Sequence, residues 1–375
     1  MSYYSFFNKY FPVPHFLEMS HAGVDISSGA IRVVELIRTS KGLRLRKCIE
    51  EKLENPILPS ESILQRSDVL SILKKIKKEN NFKFVEVSIP EEKSYLFTIE
   101  VVDGTKEEIR TRIEMHIEEN VPVSLDEAVF DYHRITKNEK TGMQFLAVSV
   151  VPKTVIDEYI TLFESCGFLP ISFLIENQAL SRAIVKKGDK NSYLVVNINY
   201  KNTVISIVND EAVQFTSTIP MGSEDFTNSL MGALSTDKDS ALFAKFDKGF
   251  SREVGNEKIA SALMSTASVL IEEIRKVSVY WNSVNNFKEG EGMADSMFSD
   301  QNKNIDFGVE KIILAGQDAS MPGFKDYLSI SLKTPVSIAN VWTNIFSFEN
   351  EIPEISMKDS LSYGTAFGLA LLKDQ

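Results

Sequence analysis

Gly23-Val24-Asp25-Ile26-Ser27-Ser28-Gly29-Ala30-Ile31-Arg32-Val33-Val34 reads as a strand, a tight polar turn and a second strand. Residues 24–26 are short and apolar, Gly29 supplies the turn, and residues 31–37 are β-branched and interrupted by charge. Beyond Ser40-Lys41-Gly42 a third strand is expected over 43–49, with Leu43, Leu45, Lys47 and Ile49 on one face. In such a meander the backbone N–H groups of the first turn can point at a phosphate, and small side chains let it come close. Asp25, at the end of a buried strand, is suited to hold Mg²⁺ through water. The same residues also suit an ordinary hairpin with a solvated Asp25, and the turn alone leaves both readings open.

The pattern returns later in the chain. Residues 193–198, 203–208 and 212–219 again read as three strands with short polar turns. Superposing the triplets sets Asp25 on Asn197, Ser27 on Asn199 and Val33 near Ile205. This weak duplication points to two related α/β halves. Asn197-Ile198-Asn199-Tyr200-Lys201-Asn202 then sits where a second phosphate loop would be, and a cleft between the halves would clamp a nucleotide between both turns. A third element, Leu314-Ala315-Gly316-Gln317, ends a strand and leads to a helix through Met321-Pro322-Gly323. A strand-end glycine of this kind can lie against adenosine, or merely punctuate a turn.

Between the triplets, a helix is expected over 67–79, with Leu70, Leu73 and Ile76 on one side, and a strand over 84–89 ended by Pro90. Residues 91–150 read as an inserted α/β module with strands at 95–101, 129–135 and 144–151. Thr105 and Glu108 form a capping box, and Ile109, Ile113 and Ile117 mark the inner face of the helix it starts. Pro152 opens a helix that Gly167 ends, and another helix spans 176–186. After the second triplet come helices at 223–232, 239–248 and 257–284, a polar loop over 288–306, a strand at 311–315, a helix after Gly323, a short strand at 336–338 and a helix at 361–372. Gly364 and Gly368 share one face of that last helix and allow close packing.

Composition sets limits. At 375 residues, two or three units are expected, and 43% hydrophobic with 25% charged residues describes an ordinary globular chain. A net charge of -11 argues against a broad nucleic-acid surface. The main basic cluster, Lys74-Lys75-Ile76-Lys77-Lys78, closes an amphipathic helix, where cations favour the negative end of the dipole. Two cysteines, Cys48 and Cys166, give no disulfide framework, and His15, His21, His116 and His133 have no metal-ligand spacing. No apolar run is long enough to span a bilayer. The aromatic tail over 1–16 lacks a signal peptide's continuous apolar core; it packs on its own domain or docks another chain or a membrane face.

The three turns, their order and the inserted module resemble the actin-like ATPase superfamily, and within it the PilM family of type IV pilus assembly. The segments that carry the resemblance are Gly23 to Ser28, Ile117-Glu118-Glu119-Asn120-Val121-Pro122-Val123 running into Leu125 to Tyr132, Val151-Pro152-Lys153, Ile175 to Leu180, Ile219-Pro220-Met221-Gly222, Ile312 to Gly316, and Tyr363 to Ala370. The resemblance covers residues 22–375, and the cell-division protein FtsA fits the inserted module less well. It implies an α/β, two-lobed actin-like ATPase fold with duplicated RNase H-like cores and an inserted small α/β subdomain. The implied division is a tail over 1–22, a first lobe from 23–90 plus 152–188, a partner-binding subdomain over 91–151, a second lobe from 189–222 plus 307–375, and a helical subdomain over 223–306.

The resemblance further implies ATP with Mg²⁺ in the cleft, contacted by Asp25, Ser27, Ser28, Gly29, Ala30, Asn197, Asn199, Lys245, Gly316 and Gln317, with Asp25 linked to the metal. It implies that the groove beside the module binds the cytoplasmic N-terminal tail of PilN, an inner-membrane pilus protein, with Asn120, Val121, Pro122, Val123, Phe130 and Tyr132 as contacts. Other platform and motor proteins would join. The protein would be cytoplasmic, held at the inner membrane through partners, with self-association left open. Four departures around the cleft would weaken hydrolysis, and binding with it. Ser27 stands where the family usually has Gly. Asn197 and Asn199 replace an acid and a Gly, so no carboxylate there helps hold Mg²⁺. Gly316 is followed by Gln317 rather than a second Gly. Ala241-Leu242-Phe243 offers no carboxylate to a ribose beside Lys245. The favoured expectation is a nucleotide-responsive scaffold; the alternatives are an active ATPase or a division protein of the FtsA type.

Overall fold

The computed structural model of the protein describes residues 21–39, 42–138, 141–251, 253–289, 308–348 and 352–371. The aromatic tail over 1–16 lies outside these residues, as does most of the loop expected at 288–306.

Two five-stranded sheets carry the fold. The first contains β1 (His21–Ile26), β2 (Ala30–Thr39), β3 (Gly42–Lys52), β4 (Phe84–Ile89) and β8 (Leu169–Ile175), in the order β3-β2-β1-β4-β8. The second contains β9 (Ser192–Ile198), β10 (Thr203–Asn209), β11 (Ala212–Ile219), β12 (Lys311–Ala315) and β13 (Val336–Ile338), in the order β11-β10-β9-β12-β13. In both, an antiparallel three-strand meander is extended by two parallel strands. The register repeats as well. Asp25 pairs with Arg32 one step before the end of β1, and Asn197 pairs with Val204 at the same place in β9. The duplication legible in the sequence is therefore a duplication of topology. Strands β1 and β9 are buried on both faces. That explains their nearly continuous apolar runs and the alternation seen in β3, which lies at the edge.

The inserted module is a third sheet of β5 (Tyr95–Val102), β6 (Ala128–Asn138) and β7 (Met143–Pro152), ordered β5-β7-β6. One face is covered by α2 (Lys106–Asn120), which follows α1 (Ser67–Glu79) in the chain. Ile109, Ile113 and Ile117 pack there against Leu146, Val148 and Val150, and the rest of α2 is charged and solvated. The capping box is present: Thr105 Oγ1 accepts from Glu108 N (3.3 Å), and Glu108 Oε2 accepts from Thr105 N (2.8 Å). The lysine cluster ends α1 as its helix position predicts. Lys77 Nζ donates to the Phe82 carbonyl (2.8 Å), and Lys75 pairs with Glu51 (2.7 Å).

Two helices cross at the junction of the large sheets. After α3 (Lys153–Ser165), α4 (Glu176–Ile184) runs against α10 (Gly364–Ala370). A methyl group built on Gly368 would fall on the Ala179 carbonyl oxygen, and one on Gly23 would fall on Ala366 and Ala370 backbone atoms. These glycines are where strand β1 and two helices meet backbone to backbone. Both helices end earlier than the apolar pattern suggests. Val185 is extended, and Leu371 leaves the helix with its carbonyl accepting from Arg182. The second lobe also carries α5 (Ser223–Leu234), α6 (Lys238–Asp247) and α7 (Glu257–Glu289), then α8 (Phe324–Leu332) and the single turn α9 (Met357–Ser360). On α7, Leu263, Ala267, Leu270, Ile274, Val277 and Trp281 are buried in the core, as the stripe predicts.

Candidate functional site

A cleft of about 590 Å³ lies where the two meanders face each other. It is lined by Asp25, Ser27, Gly29 and Ala30 from the first turn, Asn197, Asn199 and Tyr200 from the second, and Gly316 and Gln317 from the end of β12. The three sequence elements singled out for a nucleotide thus share one cavity. Gly29 lies under Tyr200: a Cβ there would be 3.1 Å from the ring, so the turns are in close contact. Gly316 has φ +83°, and a Cβ would strike the Ile198 carbonyl, so only glycine fits the strand end.

Ser28 and Lys245 are not on the cleft wall. The Ser28 carbonyl faces the loop after β3 and accepts from Ile57 N (2.8 Å). Lys245 is buried under α5. Its ammonium lies 2.7 Å from Asp318 Oδ2 and donates to the Ser223 carbonyl (2.9 Å) and hydroxyl (2.7 Å). Asp318 follows Gln317 directly and accepts from Ser223 Oγ (2.8 Å) through its other oxygen. Lys245 therefore fixes the loop that carries Gly316 and Gln317, and its own side chain is not on the cleft wall. Burial lowers the Lys245 pKa, and Asp318 opposes this.

Several cleft residues escaped the sequence reading, Arg32, Lys52 and Glu176 among them. Arg32 extends from β2 beside Asp25 and donates to Ser27 Oγ (3.0 Å), while Ser27 Oγ donates to the Ala30 carbonyl (3.0 Å). The serine that replaces glycine in the first turn thus ties a guanidinium to it. Lys52 is a second cation on the wall. Glu176, the first residue of α4, is 7% exposed and accepts through Oε1 from Asn197 Nδ2 (3.2 Å) and Asn199 Nδ2 (2.8 Å).

The carboxyls of Asp25 and Glu176 define the electrostatics. Burial raises the pKa of Asp25, against the pull of Arg32 and of the Ser88 hydroxyl, which donates to it at 2.7 Å. Burial also holds Glu176 well above the carboxylate range, and the charges of Asp25, Glu92 and Glu91 add to it. An acid at 197 would have placed another negative charge in this group. Asn197 and Asn199 instead donate to Glu176. Both carboxyls are raised chiefly by burial, and a cation brought into the cleft would favour their charged forms. Among the described residues no group of three or more His, Cys, Asp or Glu is arranged to hold a metal directly. A metal carried by phosphates and water fits this donor set better than one caged by protein.

Glu91, at the base of the inserted module, is 6% exposed, and burial pushes it up to about 7. The neighbouring Thr216 side chain and Asn177 backbone act in the opposite direction, favouring the charged form. A carboxyl raised in the folded state binds more protons there than in the unfolded chain, so its stabilising contribution is complete below pH ~4.5 and is lost as pH rises through about 7. Glu91→Gln should therefore gain on the native protein between pH 5 and pH 8, by on the order of 3 kcal/mol. Urea midpoints at the two pH values measure this, and parallel pH profiles would refute it.

A second concavity, of about 460 Å³, lies between the inserted sheet, β8 and the start of β11. Val129, Asp131 and His133 of β6 and Ala147 and Ser149 of β7 form one wall; residues 172–175 and Ala212-Val213 form the other. Strands β6 and β8 are the outermost of their sheets, so one edge of each is unpaired by a further strand. Of the expected contacts, Phe130 and Tyr132 line it, although both also pack toward the α2 core and the Arg110 guanidinium sits 4.5 Å over the Phe130 ring. Asn120, Val121, Pro122 and Val123 do not. Val121 is buried with Ile117, Val123 packs on the same cluster, and Asn120 Nδ2 donates to the His116 carbonyl (2.8 Å). That turn closes the helix instead.

Comparison with known proteins gives a consistent picture. The model of a family described as type IV pilus assembly protein PilM matches residues 23–288. Among solved structures, the chain is similar to one titled PilM-PilN type IV pilus biogenesis complex, with a TM-score of 0.69 and 15% identity, over 94% of this chain and 97% of that one. It is also similar to the ethanolamine utilization protein EutJ from Carboxydothermus hydrogenoformans, with a TM-score of 0.50 and 14% identity, over 96% of this chain and 90% of that one. No curated protein matches it in sequence. Likeness at these identities shows the fold, the two-lobed actin-like architecture with an inserted module.

Proposed function

Because the chain belongs to the family of the type IV pilus assembly protein PilM, we propose that it is a scaffold of the pilus assembly platform that holds the N-terminal cytoplasmic tail of a PilN-like inner-membrane protein in the groove between β6 and β8. The observation that carries this is the groove itself: walls of mixed apolar and polar side chains, two outermost strands and a volume of about 460 Å³. An extended peptide would add main-chain hydrogen bonds at a strand edge and seat alternate apolar side chains between the walls. Asp131 and Glu211 line the groove and favour a peptide with a basic flank. Attachment to the inner membrane would come from this partner, since no helix among the described residues is long and apolar enough to cross a membrane. Other platform and motor proteins would bind the same scaffold elsewhere.

In the cleft we propose ATP with Mg²⁺. Asp25 would orient the water shell of the metal, Arg32 and the Ser27 turn would face the phosphates, and Gly316 and Gln317 would lie against adenosine. The metal supplies charge neutralisation on the phosphates. Slow or absent turnover is expected because position 197 offers an amide where a carboxylate would help hold the metal, and both Asn197 and Asn199 are engaged with Glu176. The active-ATPase reading is favoured by one observation, the buried Glu176 carboxyl on the cleft wall. Phosphate release from the protein with saturating ATP separates the two.

The groove is tested with a fluorescein-labelled synthetic peptide of the PilN-like tail. Val129, 43% exposed on the groove wall, can change without disturbing a core. Val129→Glu should weaken peptide binding at least tenfold, about 1.4 kcal/mol, with an unchanged melting temperature. Equal affinity of variant and native protein would place the peptide elsewhere.

A further inference from the structure

A third cavity, of about 450 Å³, lies on the other side of the two turns from the cleft. Ser27, Asn199 and Glu176 line both cavities and stand between them. Most of its wall is apolar. Ile57, Leu58, Pro59 and Ile63 come from the loop after β3, Pro90 follows β4, and Pro220 follows β11. Concave, mainly apolar cavities of this size are the usual form of a small-molecule site.

Two polar groups on this wall are short of partners. Tyr159, on α3, is 1% exposed and packs in the core of the first lobe. Among the described residues nothing hydrogen-bonds to its hydroxyl. Glu176 takes the hydrogen bonds of Asn197 and Asn199 on Oε1, and among the described residues nothing donates to Oε2. Buried groups of this kind normally have a partner, and the cavity is where one can enter.

Charge decides what kind of partner. Burial raises the Tyr159 pKa, and the charges of Asp25, Glu158, Glu176 and Glu92 add to it. An anionic head group would meet that field as a like charge. The two lysines on the wall do not offset it, because their ammonium groups are engaged. Lys93 Nζ donates to the Glu61 carbonyl (2.8 Å), and Lys201 pairs with Glu224. An ammonium only donates hydrogen bonds, and a tyrosine oxygen and a carboxylate oxygen can both accept them.

We propose that this cavity binds a small molecule with an apolar body and a cationic head, an alkylamine or arylalkylamine. The body lies among Ile57, Leu58, Ile63 and the prolines. The head donates to Tyr159 Oη and Glu176 Oε2. The site needs neither the nucleotide nor the partner peptide.

The test is isothermal titration of the full-length protein with naphthylmethylamine, naphthylmethanol and naphthylacetate, which carry a cationic, a neutral and an anionic head on one aromatic body. The amine should bind about tenfold more tightly than the acetate, with the alcohol between them. Leu58 is 49% exposed and lines this cavity but not the cleft. Leu58→Trp should therefore fill the cavity and abolish amine binding without lowering the melting temperature. Tyr159→Phe keeps the ring and removes the hydroxyl, and should weaken the amine about tenfold. No binding of the amine to the native protein overturns the proposal, as does acetate binding as tightly as amine. Native-like amine affinity in either variant overturns it too.

Discussion

Lys245→Met is expected to destabilise the protein by about 3–5 kcal/mol, the range for removing one partner of a buried ion pair. The ammonium and the Asp318 carboxylate are both inaccessible to solvent and 2.7 Å apart. Without Lys245, Asp318 keeps only the Ser223 hydroxyl and stays buried. The carboxylate must then accept a proton or draw in water, and either disturbs the backbone that carries Gly316 and Gln317. The variant should lose ATP affinity along with stability. Lys245→Met combined with Asp318→Leu should recover most of the stability, because two apolar groups of similar volume leave no charge unpaired. Urea unfolding of the three variants and native protein gives the double-mutant cycle. A loss under about 1 kcal/mol in the single variant, or a double variant no better than it, would contradict this account of the pair.

The second large effect is expected at the crossing of α4 and α10. Gly368→Ala adds one methyl group that lands on the Ala179 carbonyl oxygen, in backbone that cannot step aside as a side chain would. Alanine is the better helix former by about 1 kcal/mol, so on propensity alone the variant would be more stable. Overpacking acts in the other direction, by about 3 kcal/mol, and wins. The contrast is Gly232, in α5, where an added Cβ meets nothing within 4 Å. Gly232→Ala should stabilise by about 0.5–1 kcal/mol. Thermal unfolding should therefore show opposite shifts for the same chemical change. A shift of the same sign in both would mean that the crossing is looser than described.

These two sites also illustrate what a reader of the sequence can and cannot see. The meander at 21–52, its repeat at 192–219 and the correspondence of Asp25 with Asn197 were legible because strand periodicity and turn chemistry are local signals. The Thr105–Glu108 capping box was legible for the same reason, as was the close packing of Gly364 and Gly368. Glu176 was not. An acid in the first turn of a helix is ordinary on dipole grounds, and only the approach of the second meander turns it into a cleft residue held by Asn197 and Asn199. Arg32 looked like one of several charges interrupting a strand; its register opposite Asp25 puts it beside the first turn of the cleft. Lys245 was visible as a cation near the cleft, but its partner Asp318 lies far along the chain, and no local rule joins them. The groove divides likewise. Phe130 and Tyr132 came from the resemblance of the inserted module, whereas the opposite wall belongs to β8 and β11. The turn from Asn120 to Val123 was chosen on the same resemblance, and in the structure it completes the packing of α2.

Hydrogen–deuterium exchange of the full-length protein, alone and saturated with the PilN-like tail peptide, tests the central claim most directly. The account predicts slowed amide exchange in β6 and β8, the two outermost strands that border the groove, with lesser slowing in the first turn of α4. Protection confined to other surfaces, with β6 and β8 exchanging as in the free protein, would contradict it.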